Sequence, residues 1–220
     1  MNYCICSVAT GGFVTGLNRL ISSLDKVGYT GGRLFYNSTL PPGSPHPSVV
    51  PYAFKLYALK EAQRQGYTSL LWLDSSMWAI KPVEPVFDYI EKEGYLFEAA
   101  GQLLGWWSTD AFLKHHNLTR DEAITYPLHS AGFTGLNLIS PLAQKFLDRW
   151  FELAQDGVSF IGPWNDSGPD PRYKGHRHDM SAAGLIIHQL GMKIIPPTFM
   201  HYQAYVPDGK PTTVFFCRGI

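Results

Sequence analysis

The chain has 220 residues, of which 45% are hydrophobic and 16% are charged, and this composition predicts one globular domain over residues 1–220. Its 18 basic residues balance 18 acidic residues, so it lacks the basic surplus of a general nucleic-acid-binding protein, although a local basic groove is compatible with neutrality. Aromatic residues make up 14% of the chain and suit either a core or flat ligands such as sugars and bases.

The three cysteines, Cys4, Cys6 and Cys217, are an odd number without C-x-x-C spacing. That pattern argues against a disulfide framework and against a zinc site. Residues 1–12 contain neither the basic segment nor the apolar stretch of a signal peptide, and no window reaches the roughly 18 apolar residues of a membrane span. We therefore expect a cytoplasmic protein in a reducing compartment, without a membrane span.

In chain order, apolar runs that suit strands alternate with segments of helical periodicity. Strands are predicted at residues 3–9, 33–36, 70–73, 95–99, 131–139 and 193–195. Helices are predicted at residues 14–27, 52–65, 83–93, 109–116, 141–155 and 179–190. Five prolines in residues 37–51, and the glycines and prolines of residues 161–178, predict two ordered loops. This alternation predicts an α/β/α sandwich around a mixed, mostly parallel central sheet.

The most informative stretch is the apolar run of residues 70–73, which ends abruptly in Asp74-Ser75-Ser76. Short continuous apolar runs are typical of buried strands, and in open α/β sheets ligands bind beyond the carboxyl ends of such strands. A carboxylate at that position can hold a cation or a sugar hydroxyl. The same sequence also suits a turn that Asp74 caps, and the sequence leaves both interpretations open.

Two further positions suit a phosphate group. Gly11-Gly12 follows a predicted strand and precedes a helix, as phosphate-binding turns do, although the dinucleotide fingerprint G-x-G-x-x-G and the Walker loop are both absent. Lys55 lies in the first turn of a predicted helix, where a solvated cation gains nothing from the helix dipole. It is either an ordinary surface lysine or a partner for a phosphate held at that terminus.

Residues 175–179, with the sequence GHRHD, are a second dense polar cluster. Its two histidines at i and i+2 could bind a metal, and Arg177 could clamp a phosphate or pin Asp179. Asp179 could equally be the N-cap of the helix that begins there. His201, after the last predicted strand, is either a structural hydrogen-bonding residue or a ligand.

Taken in order over residues 3–201, these features resemble the GT-A nucleotide-diphospho-sugar transferases, in particular family 8-like members. The resemblance rests on Ala9-Thr10-Gly11 after the first strand, Lys55 in a helix, LWLDSS, Ile80-Lys81-Pro82, AGFTGLNLI, Arg177-His178-Asp179 and His201. It implies a GT-A-like fold and a glycosyltransferase. The enzyme would move a hexose or pentose from a nucleotide-sugar, most simply a UDP-sugar, to an acceptor that the sequence does not identify.

Members of this family hold a divalent cation, Mn²⁺ or Mg²⁺, on a D-x-D motif, and the cation neutralises the departing nucleoside diphosphate. Asp74 matches the first aspartate of the motif, but Ser76 replaces the second with a neutral hydroxyl. The resemblance implies a metal site formed by Asp74, Ser76 and His201, with Lys55 or Arg177 supplying part of the positive charge.

The resemblance also implies catalytic and donor-binding roles. Asp179 is the candidate general base for an inverting transfer, held by Arg177 and flanked by His178, and Asp74 is the second catalytic residue, while a retaining reaction stays open. The loop from Gly162 to Gly175 is predicted to fold over a bound donor. The residues expected to bind the donor are Ala9, Thr10, Gly11, Lys55, Asp74, Ser76, Arg177 and His178.

Two other functions are compatible with the sequence. Ser76 allows a catalytically silent nucleotide-sugar-binding domain that has lost its metal site. A sugar nucleotidyltransferase shares the broad fold, but it is disfavoured because the segment VATGGFVTGLNRL lacks the glycine-rich, Arg- and Lys-rich signature of that class.

Overall fold

A computed structural model describes residues 2–218, with eight strands and seven α-helices among them. The strands are β1 (Tyr3–Ala9), β2 (Gly32–Asn37), β3 (Ser69–Leu73), β4 (Met77–Ala79), β5 (Tyr95–Leu103), β6 (Pro127–Asn137), β7 (Met200–Tyr202) and β8 (Phe215–Cys217). The helices are α1 (Val14–Lys26), α2 (Ala53–Arg64), α3 (Glu84–Glu93), α4 (Asp110–His115), α5 (Arg120–Ala123), α6 (Pro141–Leu153) and α7 (His178–Gln189). No helix in these residues is both long enough and apolar enough to span a bilayer.

Five strands form the central sheet, in the order β2-β1-β3-β6-β5. Strand β1 pairs in parallel with β2 and with β3, whereas β6 is antiparallel to both β3 and β5. Four of the five strands therefore run in the same direction, and the predicted mixed, mostly parallel sheet is confirmed. The carboxyl ends of β1 and β3 lie at the same edge of the sheet, where ligands bind in open α/β folds.

Helices cover both faces of the sheet, and all five residues of β3 are buried as a result. Successive side chains on a strand point to opposite faces. Leu70 and Trp72 accordingly pack with α2, α6 and α7 in one apolar core, whereas Leu71 packs with α1 and α3 in the other. Because full burial of a leucine side chain stabilises the fold by about 1.5–3 kcal/mol, the two cores hold the strand that leads to Asp74 firmly in place.

Some predicted boundaries differ from the structure. Strand β5 continues to Leu103 and β6 begins at Pro127, so both are longer at the end near the ligand-binding edge than their apolar runs indicate. The predicted strand at residues 193–195 is a single bridge between Glu98 and Ile195. Helix α5 lies outside the predicted elements, although its capping box between Thr119 and Glu122 is a local signal.

A second, smaller sheet with the order β4-β8-β7 also lies outside the predicted elements. Each of its strands has three residues, too few to show an alternating pattern. Strand β8 is antiparallel to β4, and Cys217 pairs with Met77. The small sheet therefore brings residues 215–217 back to the turn that follows Asp74.

Candidate active site

Asp74 directly follows β3 and is held by hydrogen bonds with β3 and β6. Its Oδ1 accepts a hydrogen bond of 2.7 Å from Nε1 of Trp72, and its backbone N–H donates to the carbonyl of Gly132 on β6 at 2.9 Å. A Cβ added at Gly132 would lie 2.6 Å from Oδ2 of Asp74, so glycine leaves room for the carboxylate. No backbone amide of residues 2–218 donates to this carboxylate, so the interpretation of Asp74 as a turn cap is wrong. The side chain is 38% exposed and open to a ligand.

Lys55 lies in the first turn of α2 and is buried, with 1% of its side chain exposed, so it is not a surface lysine. Its Nζ donates to Oδ2 of Asp179 at 2.5 Å and to the carbonyl of Ala131 at 2.6 Å. The same nitrogen lies 3.7 Å from Oδ1 of Asp74. One ammonium thus joins the start of α7, strand β6 and the turn after β3. Burying such charges is costly, and it is tolerated here because each has a matched partner.

Asp179 lies in the first turn of α7, which begins at His178, so Asp179 is not the N-cap of the helix. Burial raises the pKa of its carboxyl group, and Lys55 opposes that shift. Lys55 takes Oδ2, and no donor in residues 2–218 reaches Oδ1. One carboxylate oxygen is therefore without a protein partner, although the side chain is only 6% exposed. A raised pKa is typical of general bases.

The predicted pairing of Arg177 with Asp179 is wrong. The guanidinium instead lies between two indole rings, with Cζ 3.5 Å from the ring centroid of Trp107 and 4.0 Å from that of Trp164. Arg177 also donates a hydrogen bond to the carbonyl of Trp164. Because Trp164 belongs to the predicted loop and Trp107 does not, Arg177 holds the loop over residues 161–177 against the neighbouring segment.

Two non-glycine residues with left-handed backbone meet at the site. Tyr52 (φ 60°) precedes α2 and His178 (φ 43°) opens α7, and their rings stack at 5.6 Å. Nδ1 of His178 donates to the carbonyl of Phe160 at 3.0 Å. Left-handed backbone costs a non-glycine residue roughly 1–2 kcal/mol, and such strain persists where surrounding contacts enforce it, commonly at functional sites. The stack therefore fixes the starts of the two helices that carry Lys55 and Asp179.

A cavity of about 310 Å³ opens at this edge of the sheet. Its walls come from the end of β1, the proline-rich loop before α2, and the turn after β3. Four of the predicted donor-binding residues line it, namely Ala9, Thr10, Asp74 and Ser76. Gly11 follows immediately, with φ 55°. Lys55 and His178 do not line the cavity themselves, but each contacts a residue that does. Lys55 lies beside Asp74, and His178 stacks on Tyr52.

Arg19 on α1 is a residue of this site that the sequence does not reveal. Its Nη2 donates to the backbone carbonyl of Ser76 at 2.6 Å, and its guanidinium stacks on the ring of Trp78 at 4.3 Å. The backbone N–H of Arg218 donates to the same carbonyl at 3.2 Å. The helical periodicity of the sequence places Arg19 on a helix but does not indicate its partner. That partner, Ser76, is 57 positions away in the chain, so no local pattern predicts the contact.

No family model matches the sequence, and no curated protein matches it. Solved structures do match. A glycosyltransferase involved in the glycosylation of the major capsid of PBCV-1 superposes with a TM-score of 0.58 at 13% identity, covering 99% of this chain and 93% of that chain. Mouse xyloside xylosyltransferase 1, in its apo form, gives a TM-score of 0.54 at 13% identity, covering 100% of this chain and 98% of that chain. The chain has a GT-A-like glycosyltransferase fold.

The GT-A-like fold also appears in the bifunctional glycosyltransferase WbbM, at a TM-score of 0.55 and 8% identity, covering 100% of this chain and 46% of that chain. At these identities the comparisons establish the fold. Membership of family 8 and the roles of individual residues in the GT-A-like fold stay predictions.

His201 lies on β7, where burial and the charge of Lys210 lower the pKa of its imidazole. The next residue, Tyr202, points to the opposite face of the strand. Burial raises the pKa of Tyr202, and the charges of Cys217 and Asp74 add to that shift. Nε2 of His201 is buried without a hydrogen-bond partner in residues 2–218, and its role in a metal site with Asp74 and Ser76 stays a prediction.

The donors beside Asp74 fit a divalent cation poorly. Its Oδ1 is already bound to Trp72 and faces the ammonium of Lys55, and Oγ of Ser76 contacts Sγ of Cys217 at 3.3 Å. Mg²⁺ takes about six oxygen ligands, with carboxylates foremost among the protein donors. Within residues 2–218, the one set of three His, Cys, Asp or Glu ligand atoms close enough to share an ion lies elsewhere, at His115, His116 and Asp156.

Proposed function

We propose that this chain is a glycosyltransferase that moves a sugar from a nucleoside-diphosphate sugar to an acceptor hydroxyl. The observation that carries the proposal is the cluster at the carboxyl end of β3. There Nζ of Lys55 is bound to Asp179 and lies 3.7 Å from Asp74, and Asp74 lines a cavity of about 310 Å³. This edge is the usual ligand-binding edge of an open α/β sheet, and the GT-A-like fold supports the reaction class.

The cavity suits the nucleotide half of the donor. Phe13, Tyr52 and Phe54 supply flat, largely apolar walls for a base. Ala9 ends β1 and Thr10 follows it, and both present small side chains to the cavity. The chain then turns away at Gly11, whose φ of 55° suits glycine. The base and ribose would therefore lie against the end of β1, and the family resemblance favours uracil as the base.

The diphosphate and the sugar would then lie toward Asp74 and Ser76, which also line the cavity. Arg177 and His178 act on the donor indirectly. His178 does so by stacking on Tyr52, and Arg177 by holding Trp164 in place. Lys55 also acts indirectly, because its three nearest oxygens belong to the protein.

Transfer forms a bond between an acceptor oxygen and the anomeric carbon. It breaks the bond between that carbon and the diphosphate oxygen, whose electron pair leaves with the nucleoside diphosphate. In an inverting reaction the acceptor proton passes to Oδ1 of Asp179, the oxygen that Lys55 leaves free. Lys55 holds the Asp179 carboxylate in a fixed orientation, so this group is already oriented before the reaction begins. Asp74 orients the sugar end of the donor.

Calorimetry with UDP, GDP, ADP, CDP and TDP, each compared with its nucleoside, tests the donor site. We expect at least one diphosphate to bind more tightly than its nucleoside. A panel of the corresponding nucleotide-sugars, with products identified by mass spectrometry, then tests transfer. If no nucleoside diphosphate binds, with or without Mn²⁺, the proposed function is wrong.

Ser76 favours a second candidate, a catalytically silent domain that binds nucleotide-sugars. A transferase hydrolyses its donor slowly when no acceptor is present, because water replaces the acceptor. Release of the nucleoside diphosphate from a bound donor therefore supports the transferase, and tight binding without release supports the silent domain. Release of pyrophosphate from a nucleoside triphosphate and a sugar phosphate would instead indicate a nucleotidyltransferase.

We also propose a cytoplasmic location. The support is that Cys4, Cys6 and Cys217 are all free and buried, as cysteines in reducing compartments commonly are. Fractionation of cells that express the full-length protein tests this location directly.

A further inference from the structure

Ser76 is bound by a guanidinium through its backbone carbonyl. Its carbonyl accepts one hydrogen bond from the guanidinium of Arg19 and another from the backbone N–H of Arg218. Arg19 forms no ion pair with a carboxylate of residues 2–218. Its Nη2 is used by Ser76 and its Nε is buried, whereas Nη1 makes no hydrogen bond within these residues and is not one of their buried unpaired atoms. A guanidinium with unused donors is the group that proteins use most often to bind phosphate oxygens.

The charges at the end of β3 also balance without a metal ion. Two carboxylates, those of Asp74 and Asp179, lie beside two cations, Lys55 and Arg19. An aspartate at position 76, as in a D-x-D motif, would leave this group with a net negative charge that a divalent cation could neutralise. With Ser76 the group is neutral, and Lys55 occupies the point at which two carboxylates and the Ala131 carbonyl converge.

We propose that this site binds the diphosphate of its donor without a divalent cation, and that Arg19, with Lys55 behind it, supplies the positive charge. The proposal rests on the proposed function. Arg19 contacts the phosphate oxygens through Nη1, which makes no hydrogen bond within residues 2–218. Lys55 offsets the two carboxylates, so the diphosphate does not face an uncompensated negative charge. The neutral Ser76 admits the diphosphate where a second carboxylate would repel it.

Calorimetry of UDP and the other four nucleoside diphosphates, in EDTA and again in Mn²⁺, tests the proposal. We expect the best diphosphate to bind with the same affinity, within about threefold, in both conditions. Arg19→Gln should weaken that binding by about tenfold, the effect of losing one charge-assisted hydrogen bond. Lys26→Gln is the matched control, because it removes an exposed cation from the same helix and should leave the affinity unchanged.

Ser76→Asp is a second variant that removes no packing. It should weaken diphosphate binding in EDTA by tenfold or more, and Mn²⁺ should restore part of the loss. Binding that needs Mn²⁺ in the unmodified protein would overturn the metal-independent site while leaving the proposed function intact. Unchanged affinity in folded Arg19→Gln would overturn the role of Arg19. Failure of every diphosphate to bind in either condition would overturn this proposal and the proposed function together.

Discussion

Lys55 determines how the charged residues of the site are arranged. Its ammonium is fully buried, and it touches oxygens from α7, from β6 and from the turn after β3. Three aromatic rings, those of Tyr52, Trp72 and Trp150, lie within 6.0 Å of it and shield it from water. The orientation of both carboxylates therefore depends on one side chain.

Lys55→Met should lower the free energy of unfolding by roughly 3–5 kcal/mol, because it leaves the Asp179 carboxylate buried without its partner. Lys60→Met is the control: on the same helix, Lys60 lies 2.5 Å from Asp148, but these two side chains are 26% and 44% exposed. Loss of such an exposed pair should cost no more than about 1 kcal/mol. Urea denaturation measures both. Equal losses in the two variants would contradict the account of Lys55.

Asp74→Asn keeps the shape of the side chain and its hydrogen bond from Trp72, but removes the charge. We expect turnover to fall by about 100-fold or more, the scale of losing one electrostatic group at a transition state, with the protein still folded. Steady-state kinetics with the donor identified by calorimetry measures the change. Asp25→Asn, which alters an exposed ion pair with Arg33, serves as the control. An unchanged rate would remove Asp74 from the reaction.

Asp179→Asn tests proton transfer. The amide can still accept a hydrogen bond from Lys55 through its oxygen, but it cannot take a proton from the acceptor. Transfer should therefore fall by at least about 100-fold, within the range that general bases contribute, while donor binding changes little. Transfer at the normal rate by Asp179→Asn, together with only a lower melting temperature in Asp179→Ala, would show that the residue is structural.

The sequence reveals single members of this cluster better than their pairing. Asp74 can be predicted because the apolar run before it marks a buried strand end. The Lys55–Asp179 pair cannot, because the two residues are 124 positions apart and an isolated lysine at a helix start has the pattern of a surface residue. Arg177 is two positions from Asp179, and this short separation in sequence wrongly predicts an ion pair between them. The guanidinium of Arg177 stacks on Trp107 and Trp164 instead.

At the scale of elements, the loop over residues 161–177 is held in place by bonds to a neighbouring segment. The backbone N–H of Lys174 donates to the carbonyl of Trp106 at 2.8 Å, and that of Arg177 donates to the carbonyl of Trp107 at 3.2 Å. The ring stack around Arg177 reinforces these bonds. These contacts hold the loop against the segment around Trp106 and Trp107, and its closure over a bound donor stays a prediction.

We expect the amides of Lys174 and Arg177 to exchange slowly in hydrogen–deuterium exchange without any nucleotide, because both are bonded to the neighbouring segment. Arg177→Gln should raise their exchange rates about tenfold or more. Arg172→Gln is the control, because Arg172 lies in the same loop but pairs with Asp170 on an exposed surface. Fast exchange in the unmodified protein, slowed only by a nucleoside diphosphate, would indicate a freely closing lid instead.

Long elements could be predicted and short ones could not. The buried strand β3 and the amphipathic helices α1 and α6 each give a pattern longer than one turn or one alternation. Strands β4, β7 and β8 have three residues each, and their pairing joins segments far apart in the chain. Their formation depends on the packed core beneath them, which local sequence does not encode.

At the scale of the whole molecule, Glu98 connects the two sheets. It lies on β5, is fully buried, and accepts hydrogen bonds from the backbone N–H groups of Phe199 at 2.6 Å and Met200 at 3.2 Å, where β7 begins. Burial raises the pKa of Glu98 from its ordinary 4.5 to about 7, although the backbone donors oppose the shift. The folded state therefore holds this proton more tightly than the unfolded state.

The sign of the pH dependence follows from that raised pKa. The contribution of Glu98 to stability should be greatest below pH 4.5, fall as pH rises to about 7, and stay level above, since only the unfolded state loses the proton in that window. The difference in unfolding free energy between the unmodified protein and Glu98→Gln should change by about 3 kcal/mol across it. Chemical denaturation from pH 4 to 8 measures this difference. Two parallel profiles would show that Glu98 does not titrate there.

The contacts of Lys55 also determine when the charged cluster around it forms during folding. Its two hydrogen bonds close intervals of 76 and 124 residues along the chain. Neither half of the chain contains all three of the segments that meet at the ammonium. These segments therefore have to pack together before the two carboxylates take up their positions. The cavity is lined by residues between Val8 and Ser76, so it draws on the first part of the chain, whereas the cluster around Lys55 also needs β6 and α7.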